Sequence, residues 1–168
     1  MIVWSANIFY DESLIKPLWS DIKTRKEMYS EQEKHYTSFR QPDYLSTLND
    51  YYRQIAMTVT KELPLKTTEF TQNIWLQVYE PESNGHSYHD HFLGTELVSW
   101  VHFLKTPEPS FHFLIGDKKI YPENQKQCDF IVFPSWALHA VDNNMSSTDR
   151  VIVSGNIHVT DKQVSTPY

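Results

Sequence analysis

Apolar and polar residues alternate along much of the chain after residue 70, and this pattern predicts a series of short β-strands. The segment 71–80 alternates most regularly. Because successive side chains of a strand point to opposite faces, this segment divides into two sets. One face carries Asn73, Trp75, Gln77 and Tyr79, and the other carries Ile74, Leu76 and Val78. Similar runs are found at 97–105, 110–116, 118–121, 128–133, 137–141 and 150–159. Several short strands separated by turn residues are typical of a β-sandwich or barrel.

The first third of the chain has a different pattern, which predicts mainly helix. An apolar strand at 2–10 is followed by a short helix over about 11–19. The polar segment 20–45 is expected to wrap around the surface without regular structure. Over 44–63 the apolar residues recur three and four positions apart, which indicates a helix, and Pro64 is expected to end it.

These patterns together predict one mainly β domain spanning residues 1–168. A chain of 168 residues is long enough to bury a single core. We expect residues 1–65 to form a helical support that packs on a sandwich core at 70–160. The aromatic content of 14% favours the same conclusion, because large flat side chains pack well on pleated sheets.

Charge and cysteine content exclude several classes of function. The formal net charge is −6 and the sequence has no cluster of Lys or Arg, so nucleic acid is not an expected partner. The single cysteine, Cys128, rules out a disulfide within the chain and a cysteine-based zinc site, and it fits a reducing cytoplasmic compartment. The sequence shows neither a signal peptide nor an apolar run of the roughly 20 residues that span a membrane. The oligomeric state stays open, with a homodimer as one candidate.

Three of the eight histidines lie within six residues, at His86, His89 and His91. On an extended strand, residues two apart project from the same face, so His89 and His91 are placed to bind one metal ion together. Neutral imidazole is the commonest protein ligand for transition metals. The alternative is a pair of surface or loop histidines without a ligand. If the segment is a loop rather than a strand, Asp90 competes as a ligand.

A more distant histidine, His139, follows an apolar strand and the turn at 133–136. A histidine at this position is either packed in the core or directed inward from a strand of the sandwich. Together with His89 and His91, it completes a set of three ligands on one side of a metal ion. Such a set leaves other coordination positions open for co-substrate and oxygen.

Arg150 begins the last predicted strand, on which one face carries Arg150, Ile152, Ser154, Asn156 and His158. A guanidinium group suits a carboxylate ligand because its planar fork binds two oxygens at once. Ser154, on the same face, adds a hydroxyl donor. The alternative is that Arg150 forms a structural ion pair with Asp149 or Asp142.

Taken together, these motifs resemble the iron(II)- and 2-oxoglutarate-dependent dioxygenases, and most closely the short oxygenases of that superfamily found in bacteria and phages. The resemblance covers about residues 70–160. It is carried by Trp75-Leu76-Gln77, His89-Asp90-His91, the run from Asp129 through Phe133-Pro134-Ser135-Trp136 to His139, and the strand from Arg150 to Asn156. The part from Phe133 to Arg150 is the most specific. For a phage-encoded member, the expected location is the host cytoplasm.

The resemblance implies a double-stranded β-helix, or jelly roll, and an oxidoreductase. It implies that His89, His91 and His139 hold Fe(II) and that Arg150 binds the distal carboxylate of 2-oxoglutarate. The further residues expected at the cofactor site are Ser154, Gln77 and Asn156. The implied reaction is oxidation of a small-molecule or peptide substrate by molecular oxygen, typically as a hydroxylation, while 2-oxoglutarate is decarboxylated to succinate.

Three positions depart from the superfamily pattern, one of them being Ser99-Trp100, where the branch often has Ser-Gly. Most members carry Asp or Glu where this chain has His91, so the second ligand stays open between His91 and Asp90. Ile152 stands where Ser is frequent, and Ser154 is the candidate replacement. The expected pocket aromatics are Tyr79, Trp100 and Trp136, with His86 at the mouth. Two other functions stay open: a three-histidine dioxygenase of the cupin kind that uses no keto acid, and a non-catalytic jelly-roll module that binds metal.

Overall fold

The computed structural model describes residues 1–63 and 69–159. Two α-helices lie between strands along the chain: α1 is Glu12–Ile22 and α2 is Asn49–Glu62. The strands are β1 Trp4–Asn7, β2 Tyr29–Ser30, β3 His35–Thr37, β4 Phe70–Tyr79, β5 His86–His89, β6 Glu96–Lys105, β7 Phe111–Ile115, β8 Lys118–Ile120, β9 Asp129–Pro134, β10 His139–Val141 and β11 Arg150–Val159. The prediction of a mainly β chain is confirmed, and each strand predicted after residue 70 is present within a few residues of its expected bounds.

The strands form two antiparallel sheets with the connectivity of a jelly roll. The larger sheet has the order β1-β9-β6-β11-β4-β3-β2, and the smaller has the order β5-β10-β7-β8. From β4 onward the chain passes back and forth between the sheets, with β4, β6, β9 and β11 in the larger one and β5, β7, β8 and β10 in the smaller one. This alternation is the double-stranded β-helix arrangement that the family resemblance implies.

Apolar side chains pack in two layers, one on each face of the larger sheet. The layer between the two sheets includes Phe103 and Ile152 of the larger sheet together with Phe111 and Phe113 of the smaller. The other layer joins the helices to the outer face of the larger sheet, where the ring of Tyr52 stacks on Trp100 at a centroid distance of 5.0 Å. The larger sheet is therefore covered on both faces, and the space between the sheets is available for a site.

The polar segment at 20–45 contains two strands, so the expectation that it lacks regular structure is wrong. Strands β2 and β3 form a hairpin, and β3 pairs with β4 in the register Tyr36 to Val78 and Thr37 to Gln77. Strands of two and three residues are too short to show a periodicity, and pairing with the edge of β4 stabilises them. Helix α1 also extends to Ile22, past its predicted end. Pro64, the predicted end of the second helix, lies outside the described residues.

We expect His102 to make folding stability depend on pH. Its ring is fully buried, its Nδ1 accepts a hydrogen bond from the Tyr52 hydroxyl (3.0 Å), and its Nε2–H donates to the Ile8 carbonyl (2.8 Å). Burial lowers the pKa of His102 to about 4. Between about pH 6.5 and 4, the unfolded chain binds a proton that the folded chain does not, so stability falls as the pH is lowered through this window. At pH 5 the loss from this residue is about 2 kcal/mol.

This dependence is measurable by urea unfolding at pH 7.5 and pH 5. We expect the variant His102→Gln to be less stable than the native chain at pH 7.5, because its side chain does not reproduce both hydrogen bonds. Between pH 7.5 and pH 5, the variant should lose about 2 kcal/mol less stability than the native chain, because it lacks the titrating His102. Equal losses in the two proteins would show that His102 does not contribute to the pH dependence.

Candidate metal site and adjoining cavity

Three of the predicted site residues, His89, His91 and His139, meet between the two sheets. The cross-strand register pairs His139 of β10 directly with His89 of β5, and side chains opposite each other in an antiparallel pair are neighbours. Their rings lie 4.3 Å apart by centroid, and the ring of His91 lies 4.9 Å from His89 and 5.1 Å from His139. One ring nitrogen from each histidine falls within 4.8 Å of the other two, which is the spacing of a metal-binding group.

Hydrogen bonds hold two of these rings in the tautomer that a metal site requires. The Nδ1–H of His89 donates to the Ser87 carbonyl at 2.8 Å, and the Nδ1–H of His139 donates to the Ala137 carbonyl at 2.8 Å. In both residues the proton on Nδ1 leaves the Nε2 lone pair free. Metal-binding histidines typically donate their other ring N–H to a carbonyl or carboxylate in this way. The donor set therefore fits a transition metal ion.

Burial keeps all three rings neutral at pH 7. Burial, with neighbouring His86, lowers the pKa of His89 to about 4, and burial, with His89, lowers the pKa of His91 to about 4. His139 is the most strongly affected, because burial and the nearby His89 lower its pKa to about 2. A metal ion competes with protons for imidazole nitrogen, so these lowered pKa values leave the nitrogens available to a metal at neutral pH.

The structure places His91, and not Asp90, beside the other two histidines. The strand β5 ends at His89, so the extended segment expected to hold both residues on one face is shorter than predicted. A hydrogen bond from the His91 backbone N–H to the Ser135 carbonyl (2.8 Å) fixes the following loop. The exposed Asp90 carboxylate instead accepts a hydrogen bond from the backbone N–H of Phe92 at 3.1 Å.

A cavity of about 590 Å³ adjoins the three histidines and is lined by both sheets. The residues from β4 are Asn73, Trp75, Gln77 and Tyr79, and those from β11 are Ile152, Ser154, Asn156 and His158. Both sets belong to the alternating faces predicted from the sequence, but Arg150, on the same face of β11, does not line the cavity and lies behind Tyr79, which does. His139 is backed by Phe111 and Phe133 at centroid distances of 5.4 and 5.0 Å, so its side of the cavity is apolar.

Arg150 is buried at the start of β11, opposite Tyr79 of β4. Its Nη1 donates to the backbone carbonyl of Asp142 at 2.8 Å, and its guanidinium carbon lies 5.7 Å from the Tyr79 ring centre. The suggested ion pairs with Asp149 and Asp142 are not formed. The Asp149 carboxylate pairs with Lys23 at 2.9 Å, and the Asp142 carboxylate pairs with Lys119 at 2.8 Å.

Two buried groups beside each other lack partners within the described residues. The Nε and Nη2 atoms of Arg150 make no hydrogen bond there, and neither does the hydroxyl of Tyr79. The Nη2 atom lies 3.9 Å from the half-exposed carboxylate of Glu108, which is too far for a hydrogen bond. Buried polar groups in proteins are nearly always paired, so this pair of residues is suited to an anionic ligand.

The other polar residues predicted for the site all line the cavity and are buried. Gln77, Ser154 and Asn156 are 5–7% exposed. The Asn156 side-chain oxygen accepts a hydrogen bond from the Ser99 hydroxyl at 2.7 Å, which fixes its orientation. Their role in cofactor binding stays a prediction.

Of the three aromatic residues predicted to line the pocket, Tyr79 and part of Trp100 line the cavity, and Trp136 does not. Trp100 packs between Tyr52 and Phe130, although part of it reaches the cavity wall. Trp136 is 59% exposed and does not line the cavity. Tyr79 lines the cavity next to Arg150, as already described.

The hairpin of β2 and β3 supplies cavity residues that the sequence did not indicate. They include Tyr29, Glu33, His35 and Thr37, with Phe39 just beyond the hairpin. Glu33 binds the Nδ1 of His86 at 2.6 Å, and the ring of His86 lies 4.2 Å from that of His89. The sequence signal was weak: His35-Tyr36-Thr37 is a three-residue run of residues that tolerate a strand, in an otherwise polar segment.

The fold is similar to that of several solved prolyl hydroxylases. A prolyl-4-hydroxylase of Pseudomonas putida aligns with a TM-score of 0.66 and 16% identity over 94% of this chain and 92% of its own. The viral collagen prolyl hydroxylase of Paramecium bursaria Chlorella virus 1 aligns at 0.59 and 15%, over 94% and 90%. A Trichoplax adhaerens prolyl hydroxylase, in complex with a peptide fragment of the hypoxia inducible factor oxygen degradation domain, aligns at 0.63 and 10%, over 98% and 87%.

At these identities the likeness shows the fold, and activity has to be argued from the site. No protein-family profile and no curated protein sequence matches this chain. Among the residues that the structure describes, neither helix has the length and apolarity to cross a lipid bilayer.

Proposed function

We propose that this protein is an Fe(II)- and 2-oxoglutarate-dependent dioxygenase of the hydroxylase type. The observation that carries the proposal is the presence of two complementary sites in one jelly roll. One is a group of three neutral histidines that each offer a ring nitrogen, and the other is the pair of Arg150 and Tyr79, whose Nε, Nη2 and hydroxyl make no hydrogen bond within the described residues. A metal and an anion bound in this way are what the reaction requires. Prolyl hydroxylases with the same fold add support.

Each residue has a defined task in this proposal. His89, His91 and His139 would hold Fe(II), and the cavity adjoins these three residues. Arg150 and Tyr79 bind and orient the distal carboxylate of 2-oxoglutarate, with Gln77, Ser154 and Asn156 as further polar contacts. When bound, iron and 2-oxoglutarate supply the oxidising power from molecular oxygen, and 2-oxoglutarate leaves as succinate and carbon dioxide. The apolar wall of Phe111 and Phe133 excludes water from the His139 side.

The substrate class that we favour is a peptide. The Trichoplax neighbour is in complex with a peptide fragment. In this chain, Phe39 and Leu93 line the cavity while being 53% and 90% exposed, so they form an apolar rim. The ring of Phe39 packs edge-on against Trp75 at 5.0 Å, which links the rim to the cavity wall. A small-molecule substrate is the alternative. The relation to the short bacterial and phage oxygenases, and a cytoplasmic location, stay predictions.

Anaerobic addition of Fe(II) and 2-oxoglutarate tests this function. We expect a metal-to-ligand charge-transfer band that appears only when both are present, because the keto acid then binds to the iron. In air, succinate should be released and should rise when a true substrate, such as a proline-containing peptide, is supplied. Bound iron without the band would favour a three-histidine dioxygenase that uses no keto acid. No bound iron would favour a non-catalytic module.

A further inference from the structure

The hairpin formed by residues 29–37 brings a buried histidine to the part of the cavity wall that Tyr79 forms. His35 is 1% exposed and lines the cavity. Its ring stacks on Tyr79, with the ring centres 4.5 Å apart and the planes inclined by 20°. The guanidinium carbon of Arg150 also lies near the Tyr79 ring, 5.7 Å from its centre. His35 and Arg150 are therefore both neighbours of Tyr79.

Most of the unpartnered buried polar atoms of the described chain belong to this group of three. Eight buried side-chain nitrogen and oxygen atoms lack a hydrogen-bond partner in residues 1–63 and 69–159. Five of the eight are both ring nitrogens of His35, the Tyr79 hydroxyl, and the Nε and Nη2 of Arg150. Leaving such groups unpaired is costly, so their concentration in three adjoining residues indicates a bound polar ligand.

The chemistry of the three side chains selects an anion. Arg150 carries a fixed positive charge, and the Tyr79 hydroxyl donates a hydrogen bond. Burial, with the neighbouring His86, lowers the pKa of His35 to about 4, so the neutral ring has one N–H to donate. The carboxylate of Glu33 lies 3.7 Å from the Nδ1 of His35, beyond hydrogen-bonding distance. All three residues thus offer unused donors.

We propose that His35 is a co-substrate-binding residue that donates a hydrogen bond to the distal carboxylate of 2-oxoglutarate, beside Tyr79 and Arg150. This inference rests on the function proposed above. It extends the co-substrate site from the jelly-roll strands to an N-terminal hairpin. Glu33, in the turn of the same hairpin, binds His86, which touches the metal-site residue His89. The hairpin therefore contacts Tyr79 directly and reaches His89 only through His86.

The variant His35→Phe separates this role from a structural one. Phenylalanine keeps a ring to stack on Tyr79 and removes both nitrogens. We expect the Kd of 2-oxoglutarate, titrated anaerobically on the Fe(II)-loaded protein, to rise about 10-fold, the usual effect of one lost hydrogen bond to a charged group. Fe(II) affinity should be unchanged. Without 2-oxoglutarate, the variant should resist urea as well as or better than the native chain, because two unpartnered buried nitrogens are gone.

Two further variants complete the test. His35→Gln keeps a side-chain N–H donor, and we expect it to bind 2-oxoglutarate more tightly than His35→Phe. It also keeps the test valid if His35→Phe does not fold. His112→Phe is the matched control, because His112 is equally buried but does not line the cavity. Its substitution should leave the Kd of 2-oxoglutarate unchanged.

The outcomes distinguish this inference from the proposed function. If the native protein binds no 2-oxoglutarate, the proposed function fails and the role of His35 fails with it. If the native protein binds it and His35→Phe binds equally well, only the role of His35 is overturned. Zinc binding tests a different role for His35, because Glu33, His35 and His86 also have the spacing of a metal-binding group. Two zinc ions per native chain and one in His35→Phe would assign His35 to a second metal site and overturn the co-substrate role.

Discussion

The variant His139→Ala is expected to lose Fe(II) binding and, with it, all release of succinate. His139 supplies one of the three ring nitrogens that meet within 4.8 Å, and its tautomer is fixed by the Ala137 carbonyl. Removing even a partner that only orients a ligand costs about 10- to 100-fold in metal affinity. Removing the ligand itself should therefore weaken Fe(II) binding by more than about 100-fold. Equilibrium dialysis with metal analysis measures the affinity directly.

His112→Ala is the matched control for this experiment. His112, on the neighbouring strand β7, lies opposite Ala140 and is as buried as His139. Its ring forms hydrogen bonds with the Tyr88 hydroxyl and the Ser110 carbonyl, and it does not line the cavity. Both substitutions remove a buried imidazole, so both will lower stability. Only His139→Ala should remove the iron. Iron occupancy that survives in folded His139→Ala would rule out the assigned metal site.

Arg150→Met is expected to raise the Kd of 2-oxoglutarate by about 100-fold or more while leaving Fe(II) affinity nearly unchanged. Truncating one member of a buried, hydrogen-bonded charge pair costs about 2–5 kcal/mol, and each 1.4 kcal/mol is tenfold in affinity. Methionine fills much of the space of Arg150, so the Tyr79 contact is kept in part. The charge-transfer band, titrated with 2-oxoglutarate under anaerobic conditions, reports the Kd.

Two further variants test whether the effect of Arg150→Met is specific to the proposed carboxylate site. Arg53→Met removes an exposed arginine that lies over the Phe70 ring at 5.2 Å, away from the cavity, and it should leave the Kd unchanged. Tyr79→Phe removes only the hydroxyl that lacks a hydrogen bond, and it should raise the Kd of 2-oxoglutarate by about 10-fold. If Arg150→Met binds 2-oxoglutarate with native affinity, the anion recognised at this position is a different one or binds elsewhere.

The larger elements and two faces of the cavity could be predicted from the sequence. Strands such as β4 and β11 are ten residues long, and their alternation fixes which side chains share a face. The faces that carry Gln77 and Tyr79, and Ser154 and Asn156, were identified correctly because a strand has only two faces. The long helix α2 could also be predicted from the sequence, since its apolar residues repeat with the helical period.

The hairpin at 29–37 was not predicted, and with it the contribution of Glu33 and His35 to the cavity. Its strands contain two and three residues, so no periodicity can develop within them. They become strands only because β3 finds a partner in the edge of β4. Such pairing depends on residues about forty positions apart, and a local pattern contains no information about it.

The sequence alone determined a mainly β chain with ligand-type residues at His89, His91 and His139 and a carboxylate-binding type of residue at Arg150. Only the tertiary structure decided that the three histidines meet, because the His139–His89 pairing is a cross-strand register. It also decided that His91 joins them although it lies beyond the end of β5. Finally, it decided that Arg150 is left with unpartnered donors, because the carboxylates of Asp142 and Asp149 are held by lysines on other elements. Partner choice among charged groups depends on distances in the folded chain, which adjacency in sequence does not specify.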